Sequence, residues 1–143
     1  MNNNKRRVYI DGIWDLFHFG HLENLKDLKY LDNEDNYLIV GIVSDHDAIS
    51  YKRKPIIEEN HRIEIIKSIK YVDEVIEKAP LIVTEEFMNL YNIDLVCHGF
   101  LEKEDFEKQK TFFVEPIKLN KFREVSYHYG ISTSTIISKI KNL

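Results

Sequence analysis

The chain is poor in three residue types that usually organise small proteins: one cysteine, three prolines and five glycines in 143 residues. The lone thiol, Cys97, lies in the apolar run Asp94-Leu95-Val96-Cys97-His98. That excludes a disulfide framework and denies a structural zinc site its thiolates. Such cysteine usage suits a reducing compartment, and the chain reads as cytoplasmic. No run approaches the roughly 20 apolar residues that span a bilayer. The opening Met1-Asn2-Asn3-Asn4-Lys5-Arg6-Arg7 also lacks the apolar stretch of a signal peptide. Basic charge is not in excess: 20 Lys and Arg against 24 Asp and Glu leave −4, which argues against nucleic acid or an anionic membrane as partner. There is no internal repeat, low-complexity tract or linker. What remains is 43% hydrophobic and 31% charged, the composition of a soluble globule, and the length predicts one domain over residues 1–143.

Periodicity supplies the order of elements. Arg7 to Asp11 is β-branched and aromatic, and Tyr37 to Ser44 is nearly continuous apolar sequence; both predict buried strands. Between them, Leu22, Leu25, Leu28 and Leu31 mark one face of a helix over His21 to Leu31. A second helix is predicted over Asn60 to Tyr71, followed by a strand over Val72 to Ile76. Thr84 caps a predicted helix over Glu85 to Tyr91, whose acidic first residues suit its positive end. Asp94 to His98 is the fourth predicted strand and Thr111 to Lys118 a weaker fifth, demoted to an edge by Pro116. A final helix should start at Ser132 or Thr133 and reach Leu143. Helices alternating with short apolar strands predict an α/β fold, a Rossmann-like doubly wound parallel sheet of about five strands with helices on both faces.

In such sheets ligands bind outside the carboxyl ends of the strands, where helix N-termini face anions. Those ends carry Asp11-Gly12, Ser44-Asp45, His98-Gly99 and the Gly130 loop, and phosphate is the natural ligand. The most informative stretch is Asp11-Gly12-Ile13-Trp14-Asp15-Leu16-Phe17-His18-Phe19-Gly20-His21. Gly20 permits close approach, and two imidazoles at this spacing can both donate to one phosphate. Taken alone, His-x-Gly-His is equally compatible with one helix-capping and one core histidine.

In this position the stretch resembles the opening of the cytidylyltransferases of the His-x-Gly-His nucleotidyltransferase superfamily that make CDP-choline and CDP-ethanolamine. The resemblance continues in order through Gly41-Ile42-Val43-Ser44-Asp45, Tyr51-Lys52, Tyr71-Val72-Asp73-Glu74-Val75, Ala79-Pro80 with Val83-Thr84, and Gly130-Ile131-Ser132-Thr133-Ser134. It implies attack by a phosphate monoester oxygen on the α-phosphorus of CTP, with loss of pyrophosphate. His18, His21 and Lys52 are then the catalytic residues. Gly12, Ile13, Gly20, His98, Gly99, Gly130, Ile131, Ser132 and Thr133 would hold the nucleotide. Asp11 and Lys52 would meet the acceptor, with Trp14 either an aromatic wall or a core residue. Arg62 would contact phosphate or brace the loop.

The chain departs from the family before Gly130, where Tyr127-His128-Tyr129 replaces an arginine-bearing segment; Arg123 or His128 would have to compensate. The departure leaves open a CTP-binding regulatory repeat without turnover. Leu81 after Ala79-Pro80, where choline enzymes commonly carry tryptophan, together with Asp94 to Gly99, favours ethanolamine phosphate over choline phosphate as acceptor. Mg²⁺ held mainly by substrate phosphates is the implied cofactor, with no protein metal site. A homodimer through Lys70 to Val75 is the implied assembly.

Overall fold

Alternation along the two longest strands creates both faces of the sheet. In the computed structural model, which describes residues 4–100, 103–126 and 130–143, β1 (Arg7–Gly12) and β2 (Tyr37–Ile42) lie side by side and parallel. Val8, Ile10, Leu38, Val40 and Ile42 face one side, while Tyr9 and Ile39 face the other. The first face is covered by Leu25 and Leu28 of α1 (Phe19–Lys29) and by Ile63 and Ile66 of α3 (Glu59–Lys67). The second is covered by Met88 of α4 (Glu85–Leu90), together with Val83 and Phe113. Each fully buried aliphatic side chain contributes about 1.5–3 kcal/mol, so a strand shifted by one residue would exchange the side chains of the two cores and mispack both.

With β3 (Glu74–Glu77), β4 (Leu95–His98) and β5 (Phe122–Glu124), the sheet runs β3-β2-β1-β4-β5, every pairing parallel. The chain winds outward from β1 to β3 and then returns to the opposite side of β1. Its order therefore reverses between β1 and β4, which brings Asp11-Gly12 beside His98-Gly99. Among the described residues no helix is long and apolar enough to cross a membrane.

The expected strand over Thr111 to Lys118 is not formed. Lys110–Phe113 is a 3-10 turn and Val114–Lys118 a short helix, α6. The buried residues there are Phe113 and Pro116, three apart as on a helix rather than two apart as on a strand. Pro116 falls in the first turn, where its missing N–H has no intrahelical partner to lose. The fifth strand lies four residues beyond this segment, at Phe122–Glu124. β3 begins at Glu74 rather than Val72, and α3 ends at Lys67. Two further helices, short and without a marked apolar period, are α2 (Asp45–Tyr51) and α5 (Lys103–Gln109). Ser44 caps α2 by accepting from the Asp47 N–H, 3.1 Å, with Asp45 and Asp47 at its positive end. The last helix, α7, spans Thr133–Lys141.

Candidate active site

A cleft of about 860 Å³ opens at the β1/β4 crossover point. Every nucleotide and acceptor residue expected from the sequence lines it: Asp11, Gly12, Ile13, Trp14, His18, Gly20, His21, Lys52, His98, Gly99, Gly130, Ile131, Ser132 and Thr133.

The two histidines are built into the start of α1. His18 caps the helix: its Nδ1 accepts from the Gly20 N–H at 3.0 Å and from the His21 N–H at 3.4 Å. In return, the Nδ1 of His21 accepts from the His18 N–H at 3.2 Å. The rings stack with centroids 3.8 Å apart. An imidazole whose Nδ1 accepts carries its proton on Nε2, so both rings keep an Nε2–H for a ligand. Burial holds His18 below the ordinary histidine pKa. Burial pushes His21 down to about 3, with the charge of His18 adding, Asp15 opposing and Lys52 adding further. Both are therefore neutral donors near pH 7. Gly20 is needed because a Cβ there would lie 2.9 Å from Cε1 of His18 and 3.0 Å from its Nδ1, which would destroy the cap.

The approach to this pair is strained. Trp14 (φ 59°) and Leu16 (φ 49°) adopt the left-handed conformation, which costs roughly 1–2 kcal/mol per residue. Trp14 is held by its indole N–H, donated to the Gly41 carbonyl at 3.0 Å, and by burial in the core. Asp15, between them, is 4% exposed. Its carboxylate accepts from the Ile56 and Ile57 N–H groups, both at 2.8 Å, and from Arg53 at 3.1 Å. Burial alone would raise its pKa, but the two backbone donors and Arg53 outweigh it and hold the carboxyl below its ordinary value. Asp15 thereby fastens the segment after Lys52 to the His18 loop.

Lys52 ends α2 and lines the cleft. Desolvation pulls its ammonium below the ordinary lysine pKa, with Asp105 opposing and Arg53 adding. On the far wall, His98 presents Nδ1 to Asp11 at 3.2 Å and Nε2 to the Gln109 amide at 2.9 Å. Gly130 (φ 98°) makes the left-handed turn into α7. There the hydroxyls serve the fold. Ser132 and Thr135 form a reciprocal capping box, and Thr133 donates to the Asp15 carbonyl at 2.9 Å. The N–H groups of Thr133 and Ser134 have no intrahelical acceptor, and both residues line the cleft.

Two expected residues fall elsewhere. Arg62 is fully buried and braces the loops: it donates to the carbonyls of Ile57, Ile13 and Val43 and pairs with Asp45 at 2.6 Å. Its contacts are those of a brace, and it does not line the cleft. Arg123 is not among the residues that line the cleft. It turns away from the cleft onto both carboxylate oxygens of Asp32, at 2.8 and 2.9 Å. His128, with Tyr127 and Tyr129, lies outside the described residues. Asp15, Arg53, Asp105 and Gln109 also line the cleft, beyond the residues expected from the sequence. Asp105 and Gln109 share one face of α5 at i, i+4 spacing, but the mostly charged segment gives no apolar period that would announce the helix. For Asp15 the signal was one carboxylate among apolar residues.

The cytidylyltransferase-like family model matches residues 9–139. Choline-phosphate cytidylyltransferase 2 of Arabidopsis thaliana is 40% identical over 135 residues, covering 94% of this chain and 44% of that protein. The probable ethanolamine-phosphate cytidylyltransferase of Encephalitozoon cuniculi is 32% identical over 135 residues, covering 94% of this chain and 41% of that one. The chain thus spans less than half the length of either relative. Among solved structures, a lipopolysaccharide core biosynthesis protein from Thermoplasma volcanium GSS1 superposes with a TM-score of 0.64 at 27% identity, covering 86% of this chain and 98% of that one.

Proposed function

Because the chain belongs to the cytidylyltransferase-like family, we propose that it transfers CMP from CTP to ethanolamine phosphate, giving CDP-ethanolamine and pyrophosphate. The observation that carries the reading is the convergence of two Nε2–H imidazoles, Lys52 and the start of α7 on one cleft. An oxygen of the phosphate monoester attacks the α-phosphorus, the bond to the β-phosphate oxygen breaks, and pyrophosphate departs. The nucleophile is already ionised, so no general base is needed. Catalysis is positioning and stabilisation of developing charge. His18 and His21 donate from Nε2 to oxygens of the reacting phosphates, and their neutrality lets them do so without surrendering a proton. Lys52 bridges the acceptor phosphate and the α-phosphate. The N–H groups of Thr133 and Ser134 receive the outer phosphates.

The acceptor reading rests on the wall around Asp11. Asp11, Asp105 and Gln109 supply acceptors for an N–H-bearing ammonium, and among the described lining residues the Trp and Tyr side chains are Trp14, whose ring is packed into the core, and Tyr51. A quaternary ammonium wants aromatic faces instead. Choline phosphate is the second reading, favoured by the 40% identity to a choline enzyme.

Among the described residues no group of three or more His, Cys, Asp or Glu is arranged to hold a metal ion. Mg²⁺ carried on the triphosphate oxygens with retained waters would neutralise charge in the cleft. Assembly as a homodimer is proposed through the patch around Tyr71, which meets the exposed Tyr30 edge-on at 6.2 Å. Sedimentation at monomer mass for the micromolar protein would reject it.

Pyrophosphate release from CTP with ethanolamine phosphate, choline phosphate and glycerol 3-phosphate, each with and without EDTA, tests the function. Turnover with ethanolamine phosphate well above the other two, abolished by EDTA, is expected. Turnover with choline phosphate alone would replace the acceptor, and tight CTP binding without turnover would make the chain a regulatory binding unit.

A further inference from the structure

The charge inventory of the cleft is unbalanced. CTP brings about four negative charges at neutral pH, yet the basic side chains among the described lining residues are Lys52 and Arg53. Arg62 is consumed by carbonyls and Asp45, and Arg123 by Asp32. The segment Tyr127-His128-Tyr129 supplies no arginine. We propose that Arg53 is a triphosphate-binding residue, gripping the outer phosphates of CTP from the side of the cleft formed by Gly130 to Thr133. The proposal rests on the reading of the chain as a CTP-dependent transferase.

Geometry makes Arg53 available for this. Among the described residues its hydrogen bonding is one contact, from Nη1 to Asp15 at 3.1 Å, and its side chain is 42% exposed. A guanidinium has five N–H donors in a rigid fork suited to phosphate, so most of its capacity is unspent. Asp15 does not depend on it, because the Ile56 and Ile57 N–H groups already occupy both carboxylate oxygens. Asp15 also fixes where Arg53 sits: its side chain holds the guanidinium while its carbonyl accepts the Thr133 hydroxyl at 2.9 Å. Arg53 and the start of α7 are thus both tied to Asp15, and both line the cleft that Lys52 enters.

Calorimetric titration of the full chain with CTP and, separately, CMP tests this, because CMP lacks the β- and γ-phosphates. Arg53→Gln keeps an N–H for Asp15 but removes the charge, and Arg53→Lys keeps the charge but not the fork. Arg53→Gln should weaken CTP binding about tenfold or more, the scale of one charge-assisted contact, and leave CMP affinity within about twofold. Arg53→Lys should recover part of the loss. Unchanged CTP affinity in Arg53→Gln overturns the proposal. So does an equal loss for CMP, which would mean that Arg53 merely shapes the loop. Failure of the wild-type chain to bind CTP overturns the transferase reading and this inference together, and the wild-type titration alone identifies that case.

Discussion

Replacing Asp15 with alanine removes one carboxylate and strands the three donors that converge on it from Ile56, Ile57 and Arg53. A hydrogen bond to a charged group contributes about 1.5–3 kcal/mol. Arg53 is 42% exposed and finds water instead, so its share is small. The two backbone donors would give about 3–6 kcal/mol if fully buried. Ile56 is 59% exposed, so its N–H rehydrates in part, and the loosened loop also relieves strain at Trp14 and Leu16. The expected loss is about 2–4 kcal/mol. Asp15→Asn should lose less, since its amide oxygen still accepts one N–H. Urea unfolding followed by the fluorescence of Trp14, the one tryptophan, measures this, and amide exchange at Ile56 and Ile57 localises it.

The pH dependence of the same difference is a second readout. The folded carboxyl lies below its ordinary value, so as pH falls the unfolded chain takes up the proton first. The Asp15 contribution is present above about pH 4 and fades as pH drops through the folded value. The gap between wild type and Asp15→Ala must therefore shrink between pH 7 and pH 3. A variant within about 0.5 kcal/mol of wild type at pH 7, well below the expected loss, would refute the reasoning. A gap that ignores pH would refute it equally.

Lys52→Ala should cut turnover about 100-fold or more, the scale of losing one transition-state donor, with a smaller loss in CTP affinity; an affinity loss without a turnover loss would remove its catalytic role. His21 titrates near 3 in the fold but near 6.5 unfolded, so the unfolded chain binds the extra proton and stability falls as pH drops below about 6.5. Relative to His21→Asn, whose amide oxygen can replace the Nδ1 acceptor, wild type should lose about 1–2 kcal/mol between pH 7 and pH 5. Parallel pH profiles of the two would show the imidazole is not held neutral. The neutral pair also predicts turnover without a histidine-dependent fall between pH 7 and pH 8, checked by comparing initial rates at saturating CTP.

How much could be read in advance differs by element. Strands β1, β2 and β4 were legible because each is a short apolar run buried on both faces, and Ser132 announced α7 through an ordinary cap. The segment Thr111 to Lys118 misled because Phe112, Phe113 and Val114 look like a strand, whereas burial at Phe113 and Pro116 has the period of a helix. Helix α5 was missed because Lys103 to Gln109 is mostly charged, and its functional face exists only opposite His98 and Lys52.

The amino-acid sequence by itself determined the alternation of strands and helices, the placing of Asp11, His98 and the His18-Gly20-His21 cluster at strand ends, and the family. All of these depend on residues close together along the chain, through side-chain period, helix caps and contiguous motif spacing. Tertiary structure alone decided which arginine faces the cleft. Arg62, Arg123 and Arg53 are alike in chemistry, and what separates them is the partner each meets across the fold: buried carbonyls for Arg62, Asp32 for Arg123, and for Arg53 an Asp15 whose acceptors two backbone N–H groups had already claimed. Those partners lie 38 to 91 residues away from Arg53 and Arg123, and only the parallel crossovers that carry the chain back beside β1 bring them within reach.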